Sequence, residues 1–276
     1  MNPFVTLSIA GFDPTGGAGI VADIKTFTAL GCYAIAAITA NTAQNTQGVY
    51  GVAVVEASFL EKQLLLLDLP ISAVKIGMLA NTEIVTVIAD YLKNSTTQNL
   101  VVDTPIYSSS GYRLLDQAAI TILQQRIFPL ATLITPNIPE TTLLTGIEIS
   151  SLVLMKEAAR RLKSTGVEAV LVKGGHMETQ SKSMDLLYDG RDFVLFETER
   201  LESRDVHGTG CTLSSAIAAF LAKGLPLLQA VKEAKSYISR AIACQIDLGQ
   251  GAPLIDHFAA TSVNRRIKIT ERVLHD

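Results

Sequence analysis

A glycine-rich segment in the last third of the chain carries the pattern most typical of chemistry. It reads Asp205-Val-His-Gly-Thr-Gly-Cys211 and opens a long apolar stretch that predicts a helix. Gly208 and Gly210 free the backbone, so that the amides of residues 208–211 can converge at the positive end of a helix dipole. We predict an anion hole for a phosphoryl group here, with the Cys211 thiol in the first helical turn, where the same field lowers a thiol pKa.

A second glycine-rich segment follows the first strand-like run of the chain. It reads Gly11-Phe-Asp-Pro-Thr-Gly-Gly-Ala-Gly19 and leads into a helical stretch. Gly16, Gly17 and Gly19 permit positive φ angles and a close approach of the backbone to a ligand. The segment matches neither G-x-G-x-x-G nor the Walker A pattern, which leaves open a plain flexible turn.

Polar side chains also follow three further strand-like runs. Asp103 ends an apolar run, the Asn137/Glu140 pair opens a helix, and Lys173 begins the segment Lys173-Gly-Gly-His176. An Asn/Glu pair suits a hydrated magnesium ion, although Glu140 alone would also complement a helix dipole. Lys173 is suited to neutralise a nucleotide phosphate. Together with the anion hole, these groups indicate phosphoryl transfer, where positioning and charge neutralisation do most of the catalysis.

Strand-like and helical stretches alternate along the chain, which predicts a mostly parallel sheet with helices on both faces. Ligands bind beyond the carboxyl ends of such strands, where these polar residues lie. The predicted strands are Val5–Ala10, Tyr33–Thr39, Val49–Val55, Ala73–Ile76, Leu100–Asp103, Thr132–Thr135, Ala169–Val172 and Leu186–Tyr188. The predicted helices are Ile20–Leu30, Lys62–Leu67 after a capping box at Ser58–Glu61, Thr82–Lys93 capped by Asn81, Ser151 to Lys163, Thr209–Lys223, and Pro226 to about Ala243.

Composition excludes several classes of protein. With 276 residues, 48% hydrophobic and 18% charged, the chain is not intrinsically disordered. A net charge of -3 gives no electrostatic footprint for nucleic acid or a membrane surface, so we expect neither as a partner. Three separated cysteines and the lack of a signal peptide or long apolar run predict a cytoplasmic protein. We expect one domain over residues 1–276, with a tail at about 262–276 that is either docked or frayed.

Several of these segments together resemble the hydroxymethylpyrimidine/phosphomethylpyrimidine kinases of thiamine biosynthesis, in the ribokinase-like superfamily. The resemblance runs from about residue 4 to about 258 and implies a ribokinase-like three-layer α/β/α fold with nine or ten strands. It implies ATP and Mg²⁺ as cofactors, and phosphorylation of the hydroxymethyl group of 4-amino-5-hydroxymethyl-2-methylpyrimidine and then of its monophosphate. The resembling segments are Gly11–Asp23, Gln44-Asn45, Lys75-Ile-Gly-Met78, Asn137–Glu140, Lys173–His176 and His207–Cys211.

The resemblance also implies roles for individual residues. Cys211 would be the catalytic base, and the amides of Gly208, Thr209, Gly210 and Cys211 would form the anion hole. Asp103 with the Asn137/Glu140 pair would organise Mg²⁺ and phosphates, and Lys173 would lie near the nucleotide. The pyrimidine pocket would be lined by Gly11, Ala18, Asp23, Gln44 and Met78, of which Asp23 and Gln44 can pair with an aminopyrimidine edge. Relatives are often homodimers, with the segment Ala34–Val55 as a candidate contact.

One segment departs from the family pattern. The family commonly reads Asp-Pro-Val-Met followed by a lid that contains lysine, whereas this chain reads Asp103-Thr-Pro-Ile-Tyr-Ser-Ser-Ser-Gly111. Two alternatives therefore stay open: a pyridoxal kinase of vitamin B6 salvage, and a ligand-binding relative without turnover. The resemblance disfavours the first, because some pyridoxal-phosphorylating relatives use a lid cysteine to engage the aldehyde and no cysteine lies between residues 104 and 111 here. A Rossmann-type oxidoreductase is disfavoured because its glycine fingerprint is absent.

Overall fold

The structure is a computed structural model that describes residues 3–97, 99–175, 182–199, 206–258, 261 and 269–274. Its strands are β1 (Val5–Phe12), β2 (Tyr33–Asn45), β3 (Gly48–Val54), β4 (Ile71–Ile76), β5 (Leu100–Val102), β6 (Leu133–Ile134), β7 (Val170–Lys173), β8 (Lys182–Tyr188), β9 (Phe193–Glu199) and β10 (Thr270–Leu274). Its α-helices are α1 (Gly19–Ala29), α2 (Ala57–Leu65), α3 (Thr82–Lys93), α4 (Gln117–Ile122), α5 (Ile138–Thr145), α6 (Leu152–Lys163), α7 (Thr209–Ala222) and α8 (Leu227–Ala243).

The strands form one sheet in the order β10-β9-β8-β7-β6-β5-β4-β1-β2-β3. The centre, from β7 through β1 to β2, is parallel, while β3 and β8 to β10 pair antiparallel at the two edges. β1 therefore has β2 on one side and β4 on the other. The segments that follow β1 and β4 diverge at this point, which is where open α/β sheets bind ligands.

Helices cover both faces of the sheet, and alternate residues along the strands serve two hydrophobic cores. On β5, Leu100 and Val102 pack into the core beneath α2, α3, α4 and α6, whereas Val101 faces α7 and α8. This period of two is expected for strands covered on both faces. Helix α7 packs against α1, β1, β4 and β5, and its small residues, such as Ser215 and Ala216, are fully buried. The predicted three-layer architecture is confirmed.

The strand boundaries differ from the predictions at the sheet edges. β2 continues to Asn45 because its polar second half pairs with β3 outside the main core. β8 begins at Lys182, and two strands, β9 and β10, were not predicted. β10 lies inside the tail, so residues 270–274 are docked antiparallel to β9. β10 escapes prediction because it is mostly polar and exposed on both faces, so no periodicity marks it. β9 opens with the buried apolar run Phe193–Phe196, which was an available signal in the sequence.

Helix ends follow their caps, with one exception. The side chains of Asn81 and Ser151 cap α3 and α6, and Gly31 and Gly224 adopt positive φ after α1 and α7, all as predicted. The capping box at Ser58 was wrong: α2 begins at Ala57, and the Ser58 hydroxyl donates to the side chain of Glu56, 2.5 Å away. Helix α4 was not predicted.

Candidate active site

The backbone amide groups at the N-terminus of α7 have no side-chain cap to accept their hydrogen bonds. Gly208 is the N-cap residue with φ 82°, no side chain caps this end, and no acidic residue lies in the first turn. Thr209, Gly210 and Cys211 form that first turn, so their amide groups lack intrahelical acceptors. The predicted anion hole therefore has the backbone it needs, at the positive end of the helix dipole.

The two glycine-rich turns lie against each other. A Cβ atom added to Gly208 would be 1.7 Å from the carbonyl oxygen of Gly17, and one added to Gly19 would be 2.2 Å from the oxygen of Gly11. Any side chain at these two positions would displace backbone. The glycines were predicted to allow a ligand close to the backbone, and the structure shows that they also let the starts of α1 and α7 meet.

Lys173 and Asp103 form an ion pair beside the α7 N-terminus. Lys173 Nζ lies 2.7 Å from Asp103 Oδ1, which also accepts a hydrogen bond from the Thr135 hydroxyl. A Cβ on Gly210 would be 3.1 Å from Lys173 Nζ and 3.7 Å from Asp103 Oδ2. Burial would raise the pKa of the Asp103 carboxyl, but the charges of Lys173 and Lys75 outweigh it and hold this pKa below its usual value.

Asn137 and Glu140 serve as a reciprocal cap for α5. Asn137 Oδ1 accepts from the Glu140 amide at 2.8 Å, and Glu140 Oε2 accepts from the Asn137 amide at 2.9 Å and from the Thr104 hydroxyl at 3.2 Å. Burial raises the pKa of Glu140 to about 7, with Lys173 opposing and Asp103 reinforcing the shift. The capping role is therefore real, and Glu140 lies close enough to the Lys173–Asp103 pair to feel both charges.

The electrostatic surroundings of Cys211 correct one prediction. The thiol sits between the first turns of α7 and α1, and the Gly19 backbone amide donates a hydrogen bond to it. Burial nevertheless raises its pKa to about 11; the charge of Lys75 opposes this shift, and those of Asp103 and Asp23 add to it. The expectation of a lowered pKa was wrong, because desolvation and two carboxylates outweigh the Lys75 charge and the Gly19 hydrogen bond. Cys211 is a neutral thiol at pH 7.

Asp23 is fully buried and hydrogen-bonded within the protein, which does not fit its predicted role as a pocket residue. Both carboxylate oxygens are 2.8 Å from Lys75 Nζ, and they also accept from the hydroxyls of Ser8 and Ser215. Asp23 and Lys75 are completely buried. With four hydrogen bonds already made, Asp23 has no edge to offer an aminopyrimidine. The interpretation of Asp23 as a pocket residue is corrected: it neutralises a lysine that shares the electrostatic environment of Cys211.

The remaining predicted pocket residues cluster around the turn after β1. Gly11 lies against Met78, since an added Cβ would be 2.9 Å from the Met78 sulfur. The amide of Ala18 donates to Asp13 Oδ2 at 2.9 Å. The Nε2 atom of His207 is 2.9 Å from the same Asp13 oxygen and 3.0 Å from the Gln44 side-chain nitrogen. Gly11, Ala18, Gln44 and Met78 are thereby brought to one region.

Comparison with known proteins identifies the family. The family model of phosphomethylpyrimidine kinase matches residues 13–256. A hydroxymethylpyrimidine/phosphomethylpyrimidine kinase of Rhizobium meliloti is 46% identical over 259 residues, which cover 92% of this chain and 97% of that protein. The chain belongs to the phosphomethylpyrimidine kinase family.

Two other relatives define how far the likeness extends. A thiamine biosynthesis bifunctional protein of Geobacter sulfurreducens is 46% identical over 256 residues, which are 92% of this chain but only 52% of that protein. The chain thus spans about half of this longer relative. The structure of a pyridoxal kinase from Staphylococcus aureus, in complex with AMP-PCP and pyridoxal, has a TM-score of 0.91 at 31% identity and covers 99% of this chain and 100% of that one. The ribokinase-like fold prediction is confirmed.

Residues 107–113, which overlap the segment that departs from the family pattern, form a small hairpin. Tyr107 pairs with Arg113, and the Tyr112 amide donates to the Ser108 hydroxyl at 3.0 Å. The hairpin tip reaches the β2–β3 turn, where the Val49 amide donates to the Ser110 hydroxyl at 3.3 Å. Ile106, which replaces the usual methionine, is fully buried. The hydroxyls of Ser108 and Ser110 thus bind the protein's own backbone.

Three site residues escaped the sequence analysis as functional candidates: Asp13, Lys75 and Thr15. A lysine inside the mostly apolar strand β4 was the available signal for Lys75. The Asp-Pro-Thr turn was the signal for Asp13, whose Oδ1 accepts from the Thr15 amide at 2.8 Å. His176 and Asp205 lie outside the described residues. Within the described residues, no group of three or more His, Cys, Asp or Glu side chains is arranged to hold a metal ion.

Proposed function

We propose that this kinase transfers the γ-phosphoryl group of ATP to the hydroxymethyl group of 4-amino-5-hydroxymethyl-2-methylpyrimidine and then to its monophosphate, in thiamine biosynthesis. The observation that carries the proposal is the uncapped N-terminus of α7, which has the Lys173–Asp103 pair on one side and Cys211 in its first turn. The 46% identity to hydroxymethylpyrimidine/phosphomethylpyrimidine kinases supports the choice of substrate.

In the proposed reaction the substrate hydroxyl oxygen bonds to the γ-phosphorus, and the bond from that phosphorus to the β–γ bridging oxygen breaks. ADP leaves with the electron pair of that bond. The amides of Gly208, Thr209, Gly210 and Cys211 hold the transferred group, and Lys173 neutralises phosphate charge. The hydroxyl proton passes to Cys211 in its thiolate form. Because the alcohol proton leaves late in a loose transition state, a small thiolate fraction is sufficient for turnover.

Magnesium fits the carboxylates present. Asp103 and Glu140 offer hard oxygen ligands, and both interact with the charge of Lys173. Mg²⁺ typically uses one or two carboxylates together with substrate phosphates and water. We propose that these two residues hold it, with Asn137 fixing Glu140 through the cap. The bound ion would neutralise phosphate charge.

Gln44 and Met78 are the main residues that we propose to contact the pyrimidine ring. The Gln44 amide carries both a donor and an acceptor for an aminopyrimidine edge, and Met78 provides an adaptable apolar contact beside Gly11. Ala18 completes this wall. The S. aureus pyridoxal kinase shares the fold, so pyridoxal is the second candidate substrate; its 31% identity is the weaker match.

We further propose a single-domain, cytoplasmic homodimer. The three cysteines are free thiols, which suits a reducing compartment. Within the described residues, no helix is long and apolar enough to cross a membrane. The edge strand β3 exposes 66% of Tyr50 and 41% of Val54, and Tyr33 at the start of β2 is 56% exposed, so this edge offers an apolar contact. Light scattering on the purified protein measures the oligomeric state.

The deciding experiment measures ADP release with ATP and Mg²⁺ on the aminopyrimidine alcohol, on its monophosphate and on pyridoxal, in parallel. Turnover of both pyrimidines is the expected result. Turnover of pyridoxal alone would contradict the proposal and assign the enzyme to vitamin B6 salvage instead. Binding of ATP with no turnover of any of the three would contradict the proposal and favour a relative that binds ligands only.

A further inference from the structure

The hydrogen bonds around Gln44 decide which way its amide faces. Asp13 is buried and accepts from the Thr15 amide, the Thr15 hydroxyl and the Ala18 amide. Burial would raise the pKa of this carboxyl, but the hydrogen bonds from His207 and Thr15 outweigh it and hold the pKa below its usual value. Asp13 is therefore an ionised acceptor at neutral pH, and His207 Nε2, 2.9 Å from Asp13 Oδ2, must carry a hydrogen.

That hydrogen is present whether His207 is neutral or charged, because a neutral ring with Nε2 bare would place a lone pair against the carboxylate. The Gln44 amide atom nearest to His207, at 3.0 Å, therefore faces a donor. An amide oxygen can share this single hydrogen with Asp13, whereas an amide nitrogen, which carries hydrogens and no free lone pair, can accept none of it. Since a half-turn of the amide exchanges its oxygen and nitrogen, the network determines which of them occupies this position.

The other end of the amide leads to the same orientation independently. Thr42 Oγ1 lies 3.0 Å from the Phe12 carbonyl oxygen and 3.1 Å from the second amide atom of Gln44. The hydroxyl has one hydrogen, and a carbonyl can only accept it, so Thr42 donates to Phe12. Its remaining lone pairs then face Gln44, where an amide nitrogen is satisfied. Both neighbours thus place the Gln44 oxygen towards His207 and the nitrogen towards Thr42.

The His207 ring is well placed to impose this order. Its backbone amide donates to the Pro253 carbonyl at 2.9 Å, and the ring packs against Gly17, where an added Cβ would be 2.6 Å from its Cδ2. The ring is thus fixed on one side by backbone and on the other by Asp13. Within the pocket, the amide keeps one unused acceptor on its oxygen and one unused donor on its nitrogen.

We propose that Asp13 and His207 are positioning residues that fix the donor–acceptor order of the Gln44 amide and thereby select an aminopyrimidine over the corresponding oxopyrimidine. This inference rests on the proposed function, since it assumes that Gln44 contacts the ring. An aminopyrimidine presents an amine donor beside a ring-nitrogen acceptor. The 4-oxo analogue reverses that order and would place acceptor against acceptor and donor against donor, unless the amide turned and lost both its protein partners.

The test compares kcat/KM for the aminopyrimidine alcohol and for its 4-oxo analogue. The wild-type enzyme should prefer the amine by at least about a hundredfold. His207→Phe keeps the ring shape but removes the Nε2 hydrogen, and it should lower this preference by about tenfold or more. His207→Gln can place an amide nitrogen near the position of Nε2 and should restore part of the preference. An equal loss on both substrates, with the ratio unchanged, would mean that His207 is only structural and would overturn the proposal.

A second measurement decides the orientation without any turnover. In the free enzyme, NMR cross-relaxation from the Gln44 side-chain NH₂ protons, assigned by their loss in Gln44→Ala, should reach the Thr42 methyl group and not the His207 ring. Cross-relaxation to the His207 ring instead would overturn the proposal. If the wild-type enzyme phosphorylates neither pyrimidine, the proposed function has failed while this measurement still decides the orientation.

Discussion

The raised pKa of Cys211 leads to a quantitative prediction about the pH dependence of catalysis. With a pKa of about 11, the thiolate fraction of the free enzyme is roughly 10⁻⁴ at pH 7 and roughly 10⁻² at pH 9. If the thiolate is the base, kcat/KM of the wild-type enzyme, which reports the free enzyme, should rise about a hundredfold between these two pH values. A thiol with the ordinary pKa of about 8.5 would give a rise of about 25-fold that levels off above pH 9, and a pKa lowered to about 7 would give a rise of only about twofold.

The informative variant is Cys211→Ala. It should lower kcat by about 10²–10⁴-fold at pH 9, with a smaller change in KM, because it removes a group that acts in the transition state. Its pH profile should also lose the steep alkaline rise. Glu140, with a pKa of about 7, titrates in the same assay, but its effect remains in the variant and is removed by comparing the two profiles.

The assay is steady-state ADP release at several pH values between about 7 and 10, combined with ultraviolet titration of the thiolate as wild type minus variant. A wild-type profile that is flat between pH 7 and 9, or a Cys211→Ala profile with the same slope as wild type, would refute Cys211 as the base. A thiolate that titrates well below pH 9 in the free enzyme would refute the electrostatic reasoning itself.

Three further predictions concern stability. Gly208 and Gly224 have the same φ of 82°, but a side chain would clash with backbone only at Gly208. In chemical denaturation, Gly224→Ala should lower the free energy of unfolding by about 1 kcal/mol, and Gly208→Ala should lower it by several kcal/mol more. Equal losses would contradict the contact between Gly208 and Gly17. Burial raises the pKa of Glu140 from 4.5 to about 7, so its stabilising contribution is complete below about pH 4.5 and is lost as the pH rises through 7. In urea titrations, the free energy of unfolding of Glu140→Gln should therefore increase by about 3 kcal/mol relative to wild type between about pH 4.5 and 8. A difference between the two proteins that does not change with pH would refute the raised pKa. Lys235→Met leaves the buried Asp185 carboxylate without its ion-pair partner and should lower the free energy of unfolding by about 3–5 kcal/mol. It should also raise KM for ATP, since Asp185 Oδ1 accepts a hydrogen bond from the amide of Gly174, the residue after Lys173. The double variant with Asp185→Asn should regain most of the stability, and no recovery would contradict the pairing.

Local sequence patterns were sufficient for the centre of the fold. The parallel strands beside β1 are apolar on both faces, so their composition alone marks them, and the caps at Asn81 and Ser151 fix where α3 and α6 begin. The edge strands were harder to predict, since β9 pairs on one side with β8, its neighbour in sequence, and on the other side with the distant strand β10. β10 joins β9 from a position about seventy residues further along the chain.

The glycine-rich turns, the strand-end residues and Cys211 were identifiable as candidates because their types and spacing are local properties of the chain. What each of them does depends on neighbours that are distant in sequence. Asp23 was assigned to the pocket, yet Lys75 and Ser215, 52 and 192 residues away, bury and saturate it. Cys211 has the helix N-terminus that lowers a thiol pKa, yet desolvation and the charges of Asp103 and Asp23 raise it.

The sequence by itself determined the α/β class and the caps of α3 and α6, and it identified candidate groups for phosphoryl transfer, because short-range periodicity and backbone propensity act within a few residues. The tertiary structure decided protonation states and hydrogen-bond partners, because these depend on distances between β1, β4, β5 and α7. The Asp13–His207–Gln44 chain is the plainest case, since Asp13 and His207 are separated by 194 residues and lie 2.9 Å apart. Electrostatic energies depend on separation in space and on burial, and neither is written in the order of residues.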